Sequence, residues 1–588
     1  MPLDFRNLNT LWASIFVETL HRLGLTTAIL CPGSRSTPLT VAFARHPNID
    51  AIALLDERSA AFFALGVAKQ SRRPVALVCT SGTAAANFFP AIIEARYSRI
   101  PLLVFTADRP PELRDCHAGQ TIDQTKLYGH YPNWQGELAA PELDLGRLRY
   151  LRQTLVQAWA RSQFPLPGVV HLNVPLRDPL APTPQPETQA FESQVQEEVF
   201  FAGIEAIDFV PSASSIPQEL LRQWQRCDRG IIIAGLAQPP EPQDYCDAIA
   251  ALSQLTGFPV LAEALSPLRH YAHLNPHLIT TYDPLLRNPQ LSAELAPELV
   301  LQIGELPTSK TLRAWLETTQ PHRYILDSDP DNFDPLHGNA VHLHAALPDL
   351  VPKSADVALK KGSIYLKQWL YYNTKVDENI INCFKNIDWN FEGKAAYLLA
   401  ELLPEKIAVF VANSMPTRDV EFFWQQSDRQ FQIFFNRGAN GIDGTLSTAM
   451  GIAHSGGRAV LLTGDLALLH DTNGLLARNK MRGHLTVILI NNEGGGIFEN
   501  LAIANFDPPF EEYFATPQNI DFSQLCKTYG VEYHRVGDWL QLQEFLKSGY
   551  ERGIRILELR CDRKRDARQR QEILESLAAN LKGETEPA

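Results

Sequence analysis

No run in the 588 residues approaches the ~18 consecutive apolar positions that a membrane-crossing helix needs. The opening segment MPLDFRNLNTLWASIFVETLH carries acids and has the pattern of an amphipathic helix, so neither export nor anchoring is expected and the chain reads as cytoplasmic. Cysteine is sparse, with eight residues scattered from Cys31 to Cys561 and no C-x-x-C pair, which fits a reduced chain without a disulfide framework. Positive charge is also in deficit. The formal net charge of -13 argues against nucleic acid or an anionic membrane as a partner, although a local arginine cluster could still hold a small anionic substrate. Neither G-x-G-x-x-G nor G-x-x-x-x-G-K-[ST] occurs, which removes the usual dinucleotide and nucleotide-phosphate loops.

What is present is an ordinary globular composition, 45% hydrophobic and 20% charged, in a chain too long for one core; domains of about 100–200 residues make three the expectation. Short apolar runs alternate with helical patterns, the mark of α/β units built on mainly parallel sheets. AILC, AIALL, PVALVCT, PLLVFTA and GVVHLNVP predict strands in a first domain (1–185). The proline-spaced acidic stretch DPLAPTPQPETQAFESQVQEE predicts an irregular linker. GIIIAGLA, PVLAEAL, LVLQIG and RYILDSD predict a second domain (200–350), with a junction near Pro348 to Gly362. IAVFVANS, AVLLTGD, LTVILINN and RILELRC predict a third (370–588), ending in a charged tail expected to fray. PVALVCTSGTAAANFFPAII and RAVLLTGDLALLHDTNGLLA share a strand, tight turn, helix plan, which hints that the outer domains are related.

Several positions bear chemistry. Gly464-Asp465 and Asn491-Asn492 close two apolar strands some two dozen residues apart. A carboxylate, an amide oxygen and a backbone carbonyl from the following NNEGGG are hard donors suited to Mg²⁺ on phosphate oxygens, and Gly494, Gly495 and Gly496 allow close backbone approach; taken alone, the same residues read equally well as turns. Glu57 in LLDERSAAFFALGVAKQ reads as an acid favoured at a helix N-terminus. In CPGSRSTPLTVAF, Ser34 and Arg35 stand in a Pro-Gly turn before a helix, the makings of an anion site. Arg109 and Gln120 in DRPPELRDCHAGQ fit a proline-kinked connector, Arg418 and Arg437 fit surface ion pairs, and Ile442 fits a core position. Lys310 reads as an exposed helix lysine, and FDPPFEEYFATPQN as a candidate lid.

Together these strings resemble the thiamine-diphosphate-dependent enzymes, whose signature is GD followed by NN; the likeness is dense over residues 9–128 and 410–501 and thin through the middle. Leu466 stands where that signature often has glycine, which narrows the branch. The match is to the branch that decarboxylates 2-oxoglutarate and joins the product to isochorismate on the way to menaquinone or phylloquinone.

The resemblance implies thiamine diphosphate with Mg²⁺ or Mn²⁺, the metal on Asp465, Asn492 and Gly494. It implies Glu57 at N1′ of the aminopyrimidine, Ile442 propping the bent cofactor, and Ser414, Gly438, Gly464, Leu466, Gly495, Ile497 and Phe498 around it. It also implies a substrate site of Ser34, Arg35, Arg109, Arg418, Arg437, Ile497, Phe498 and Leu501, where planar guanidinium groups meet four carboxylates. Proton movement falls to Gln120, Ser414, cofactor or water, since His117 matches no family position used that way. A homodimer or homotetramer with sites at the subunit interface is implied too. Another thiamine-dependent carboligase or decarboxylase, or a non-catalytic binder keeping the fold, are the alternatives.

Overall fold

Continuous apolar runs become the central strands of three parallel sheets, each of six strands. A computed structural model describes residues 3–205, 218–345, 347, 360, 362–548, 552–579 and 581. The first sheet holds β1 (Thr27–Leu30), β2 (Asp50–Ala53), β3 (Val75–Cys79), β4 (Leu102–Asp108), β5 (Trp134–Glu137) and β6 (Val169–Pro175), in the order β2-β1-β3-β4-β6-β5. The second holds β7 (Gly230–Ala234), β8 (Val260–Ala262), β9 (Leu278–Ile279), β10 (Leu299–Ile303), β11 (His322–Asp327) and β12 (Ala340–His344), in the order β12-β11-β10-β7-β8-β9. The third holds β13 (Ala408–Val411), β14 (Gln432–Phe434), β15 (Arg458–Gly464), β16 (His484–Asn491), β17 (Glu532–Val536) and β18 (Gly553–Arg560), in the order β14-β13-β15-β16-β18-β17. Strand for strand, the outer sheets are wound identically and the middle one differently. β3 and β15, which carry the shared local plan, occupy the same place in their sheets.

Every residue of β3, β4, β6, β7, β10, β13 and β16 is buried, as helices on both faces of a parallel sheet require. The third unit is gripped from two sides. One apolar cluster runs from the middle unit (Ile231, Tyr282) through Trp369 to Phe423 and Leu574, and another joins the first unit (Phe63, Leu77) to Met450 and Leu461. The second cluster is closed by the helices Glu57–Ser71 and Thr445–Gly456. A Cβ on Gly66 would lie 2.0 Å from the Thr448 carbonyl oxygen and one on Gly451 2.2 Å from that of Phe63, so backbone meets backbone at this crossing.

Two expectations are corrected. The proline-rich stretch after β6 is not irregular: Pro186 opens the helix Pro186–Phe191, where its missing N–H costs nothing, and Glu197–Phe200 forms a further turn. Phe191, Phe200 and Phe201 anchor it in the first unit's core, while Asn7 donates to the carbonyls of Ala181 and Thr183 and Asn9 to those of Arg177 and Pro179. The charged tail does not fray over Arg563–Ala579. It is a helix whose Ile573, Leu574, Leu577 and Ala578 pack inward and whose Asp566 and Arg570 are buried in polar contacts. Of the junction near Pro348 to Gly362, residues 348–359 and 361 lie outside the described residues.

Candidate functional site

β15 and β16 are neighbours, with Gly464 opposite Ile490, so the residues that follow them emerge together at the carboxyl edge of the third sheet. Asp465 opens the helix Asp465–His470 and is almost wholly buried. Its Oδ1 accepts the Leu466 N–H at 2.9 Å and its Oδ2 the Gly494 N–H at 2.9 Å. Burial pushes its carboxyl up to about 6 in spite of those donors. Gly494 has φ +134, and a Cβ there would sit 2.2 Å from the Ala515 carbonyl, to which Gly495 N–H donates at 2.7 Å. The segment expected to act as a lid is therefore seated against this turn, with Phe510 and Ala515 buried and Phe506 and Tyr513 exposed.

A cavity of about 290 Å³ opens over these groups. It brings together Ser414, Arg418, Arg437, Ile442, Gly464, Asp465, Leu466, Asn492, Gly494, Gly495, Ile497 and Phe498. Ile442 is a half-buried wall residue and not part of the core. Ser414 holds φ +73 where β13 turns into the helix Met415–Phe423, a conformation a non-glycine residue adopts only under constraint. Gly438 is placed elsewhere: its N–H and that of Ala439 donate to Glu94 of the first unit at 3.0 and 2.7 Å. Leu501 and the exposed Lys310 line an adjoining cavity of about 920 Å³, which shares Met415, Arg418, Ile497 and Phe498 with the smaller one.

Arg418 and Arg437 are not surface ion pairs. Arg418 donates to the Ser414 carbonyl at 2.5 Å, and burial together with the nearby Arg437 brings its pKa down to about 10. Arg437 donates to Asn413 Oδ1 at 3.0 Å and to Thr308 Oγ1 of the middle unit at 3.3 Å, and its buried Nε has no protein partner. Thr308 in turn donates to the buried Glu263 at 2.6 Å. Two like charges side by side in a partly desolvated wall favour an anion between them, in addition to the carboxylates of Glu263 and Asp419 nearby. Thr308, Glu263 and the Asn492 partner Glu392 carry no motif and lie far from their partners in sequence, so only the fold reveals them.

The first unit builds a second cluster at the carboxyl edge of its own sheet. Arg35 is buried, donating to the Leu176 carbonyl at 2.8 Å and lying 3.7 Å from Asp178, with its Nε unpartnered. Arg109 donates to Ser81 Oγ; burial and the neighbouring Arg35 lower its pKa. Gln120, at φ +58, donates to the Ser81 carbonyl at 2.8 Å. Ser34, Gln120 and His117 are exposed. Glu57 begins the helix Glu57–Ser71, which Asp56 caps by accepting the Ser59 N–H at 2.9 Å, while Asn473 of the third unit donates to Asp56 at 2.8 Å. Just before Glu57, Leu54 is buried but Leu55 is 65% exposed. Glu57, Arg35, Arg109 and Gln120 do not line the 290 Å³ cavity.

The donor set fits thiamine diphosphate and a divalent ion on three counts: an open cavity above Asp465 and Asn492, a backbone turn that tolerates no side chain at 494, and the buried Arg437 Nε without a partner. Among the described residues no group of three His, Cys, Asp or Glu is arranged to hold a metal. No described helix is long and apolar enough to cross a membrane.

Comparison with known proteins agrees. Residues 12–127 match the thiamine pyrophosphate enzyme N-terminal TPP binding domain, 207–411 the middle domain of thiamine pyrophosphate enzymes, and 417–558 the C-terminal TPP binding domain. The chain is 59% identical over 581 residues to a 2-succinyl-5-enolpyruvyl-6-hydroxy-3-cyclohexene-1-carboxylate synthase of Trichodesmium erythraeum, covering 98% of this chain and 99% of the relative. It is 58% identical to the like-named protein of Gloeothece citriformis, covering 96% and 98%. The fold is shared with benzoylformate decarboxylase from Polynucleobacter necessarius, at a TM-score of 0.67 and 16% identity over 94% of this chain and 98% of that one.

Proposed function

The chain belongs to the 2-succinyl-5-enolpyruvyl-6-hydroxy-3-cyclohexene-1-carboxylate (SEPHCHC) synthases of the thiamine pyrophosphate enzyme family, and on that footing we propose how its residues divide the reaction. It forms SEPHCHC with thiamine diphosphate as cofactor. The substrates in this reading are 2-oxoglutarate and isochorismate, two dianions. Bound between the first and third units, thiamine diphosphate supplies an electron sink for loss of CO₂ from a 2-oxo acid.

The protein's own share is positioning and electrostatics. Asp465, Asn492 Oδ1 and the Gly494 carbonyl would hold Mg²⁺, or Mn²⁺ in its place, and through it the diphosphate. Glu57 would hold the proton at N1′ of the aminopyrimidine, and Ile442 would support the cofactor from the cavity wall. Arg418 and Arg437 neutralise the carboxylates in the third unit's cavity, and Arg35 and Arg109 bring two further cations from the first unit. Leu466, Ile497 and Phe498 would present apolar surface that limits water in the cavity, with Leu501 at the mouth of the adjoining one. Glu57 lies off the cavity that holds Asp465, which supports an assembly in which two copies close each other's sites; a homodimer is the smallest such assembly and a homotetramer is compatible with it.

The observation that carries this reading is the meeting of Asp465, Asn492 and Gly494 with two half-buried arginines, Arg418 and Arg437, in one cavity. The test is CO₂ release and SEPHCHC formation from 2-oxoglutarate, with isochorismate, thiamine diphosphate and Mg²⁺ each omitted in turn. Product is expected only with all four present; turnover that ignores thiamine diphosphate, or an acceptor other than isochorismate used equally well, overturns the assignment.

A further inference from the structure

A carboxamide has two ends of nearly the same shape and opposite chemistry. Only its oxygen can ligate a hard cation, while its NH₂ repels one. We propose that Glu392, braced by Arg570, is the positioning residue that decides which end of Asn492 faces the diphosphate cavity. The inference rests on the metal reading of Asp465, Asn492 and Gly494 above.

Asn492 Nδ2 donates to Glu392 Oε2 at 2.8 Å, with both side chains buried. A carboxylate beside a guanidinium only accepts, so it selects the NH₂ end and leaves Oδ1 turned to the cavity. Glu392 has no freedom to swing away. Its other oxygen accepts from Arg570 Nη2, and its backbone N–H donates to Asp566 Oδ2 at 3.0 Å. Arg570 is itself fixed, donating to Asp419 from Nε at 2.6 Å and from Nη2 at 3.1 Å. On the far side, a Cβ on Gly496 would stand 2.7 Å from Asn492 Nδ2, so the amide nitrogen is wedged between a carboxylate and a bare backbone. If Asn492 flipped, its oxygen would face Glu392 Oε2 and its NH₂ would face the cation. The helix Arg563–Ala579 thereby orients the metal ligand through two side chains, Arg570 and Glu392.

The direct readout is Mn²⁺ binding to the apoenzyme in the presence of thiamine diphosphate, followed by loss of the free-ion electron paramagnetic resonance signal, with no turnover involved. Asn492→Ala is the control for the site: strong loss of Mn²⁺ binding is expected, and unchanged binding would overturn the metal reading and this inference with it. Glu392→Gln, which keeps the size but no longer selects one end, is expected to weaken Mn²⁺ roughly 10- to 100-fold, the range for partners that orient a ligand; wild-type affinity overturns the inference alone. Should that variant not fold, Glu392→Asp keeps the charge beside Arg570 while withdrawing the acceptor; the same loss is expected of it, and wild-type affinity there overturns the inference equally. The sharper test is rescue. Asn492→Asp alone sets two carboxylates against each other and is expected to bind Mn²⁺ poorly, whereas adding Glu392→Gln supplies a donor for the new carboxylate and is expected to restore at least 10-fold of the affinity. A merely structural ion pair predicts that the double variant is worse than either single one, and that result overturns the assignment.

Discussion

At position 418 the wall of the cavity holds a guanidinium that burial and Arg437 together make uncomfortable in the absence of an anion. Removing it should therefore cost binding and not folding. Arg418→Ala is expected to raise the KM for 2-oxoglutarate about 10- to 100-fold, the worth of one charge-assisted contact, with the thermal midpoint near that of the parent; steady-state kinetics beside a melting curve decide it, and an unchanged KM removes Arg418 from the site. Glu57 sits at the opposite extreme, half-buried with no bulky packing role of its own. Glu57→Gln should lower kcat by about 10²- to 10⁴-fold, the span of a single acid–base contribution, while thiamine diphosphate still binds by calorimetry. Full activity in that variant would end the assignment of Glu57 to the cofactor. These residues are legible as strings: GD with NN, and arginines at strand ends. Thr308, Glu263 and Glu392 are not, because each belongs to a chain of hydrogen bonds between residues far apart in sequence, and nothing in a helix-start glutamate or a loop threonine announces such a partner.

Among elements, what the sequence reveals tracks burial. Thirteen of the eighteen strands coincide with apolar runs, and the five that do not, β5, β9, β12, β14 and β17, all lie at sheet edges. An edge strand has helices or neighbours on fewer sides, so β5, β12, β14 and β17 mix half-buried and exposed positions, and β9 is only two residues long. The charged helix Arg563–Ala579 escapes a reading by composition for a related reason: its charges are partly inside, where Arg570 meets Asp419 and Glu392. The 3₁₀ turn Pro267–His270 joins the middle unit to the third and makes a prediction of its own. His270 is fully buried against Trp424 and Phe431, and burial lowers its pKa from 6.5 to about 3. The folded chain thus refuses a proton that the unfolded chain takes up below 6.5, so the stability contributed by the neutral ring is full above that pH and is lost as pH falls toward 3, at about 1.4 kcal/mol per pH unit. Between pH 6.5 and 4.5, His270→Phe should lose about 2–3 kcal/mol less than the parent in urea titrations. Parallel pH profiles for the two proteins would show that His270 is charged in the fold.

The whole molecule presents a division that no single chain resolves. On the proposed reading the cofactor's metal end belongs to the third sheet, whose Asp465 and Asn492 line the 290 Å³ cavity, whereas Glu57 starts a helix outside that cavity, beside the exposed Leu55. The helix Glu57–Ser71 meets Thr445–Gly456 of its own chain backbone to backbone at Gly66 and Gly451, and on the proposed reading the carboxylate that reaches a given cavity comes from a second copy. Two copies related by a twofold axis make two sites, each with Glu57 from one chain and Asp465 and Asn492 from the other. That arrangement predicts complementation between two dead chains. A Glu57→Gln chain paired with an Asn492→Ala chain gathers both defects into one site and leaves the other intact. Co-expression in equal amounts puts half of all dimers in the mixed state, so about a quarter of wild-type activity should return where each variant alone has almost none. With differently tagged chains the mixed species can be isolated, and it should show about half the wild-type rate per dimer. If each cavity instead drew Glu57 from its own chain, every site in every mixture would carry one defect or the other, and no activity would return at any ratio.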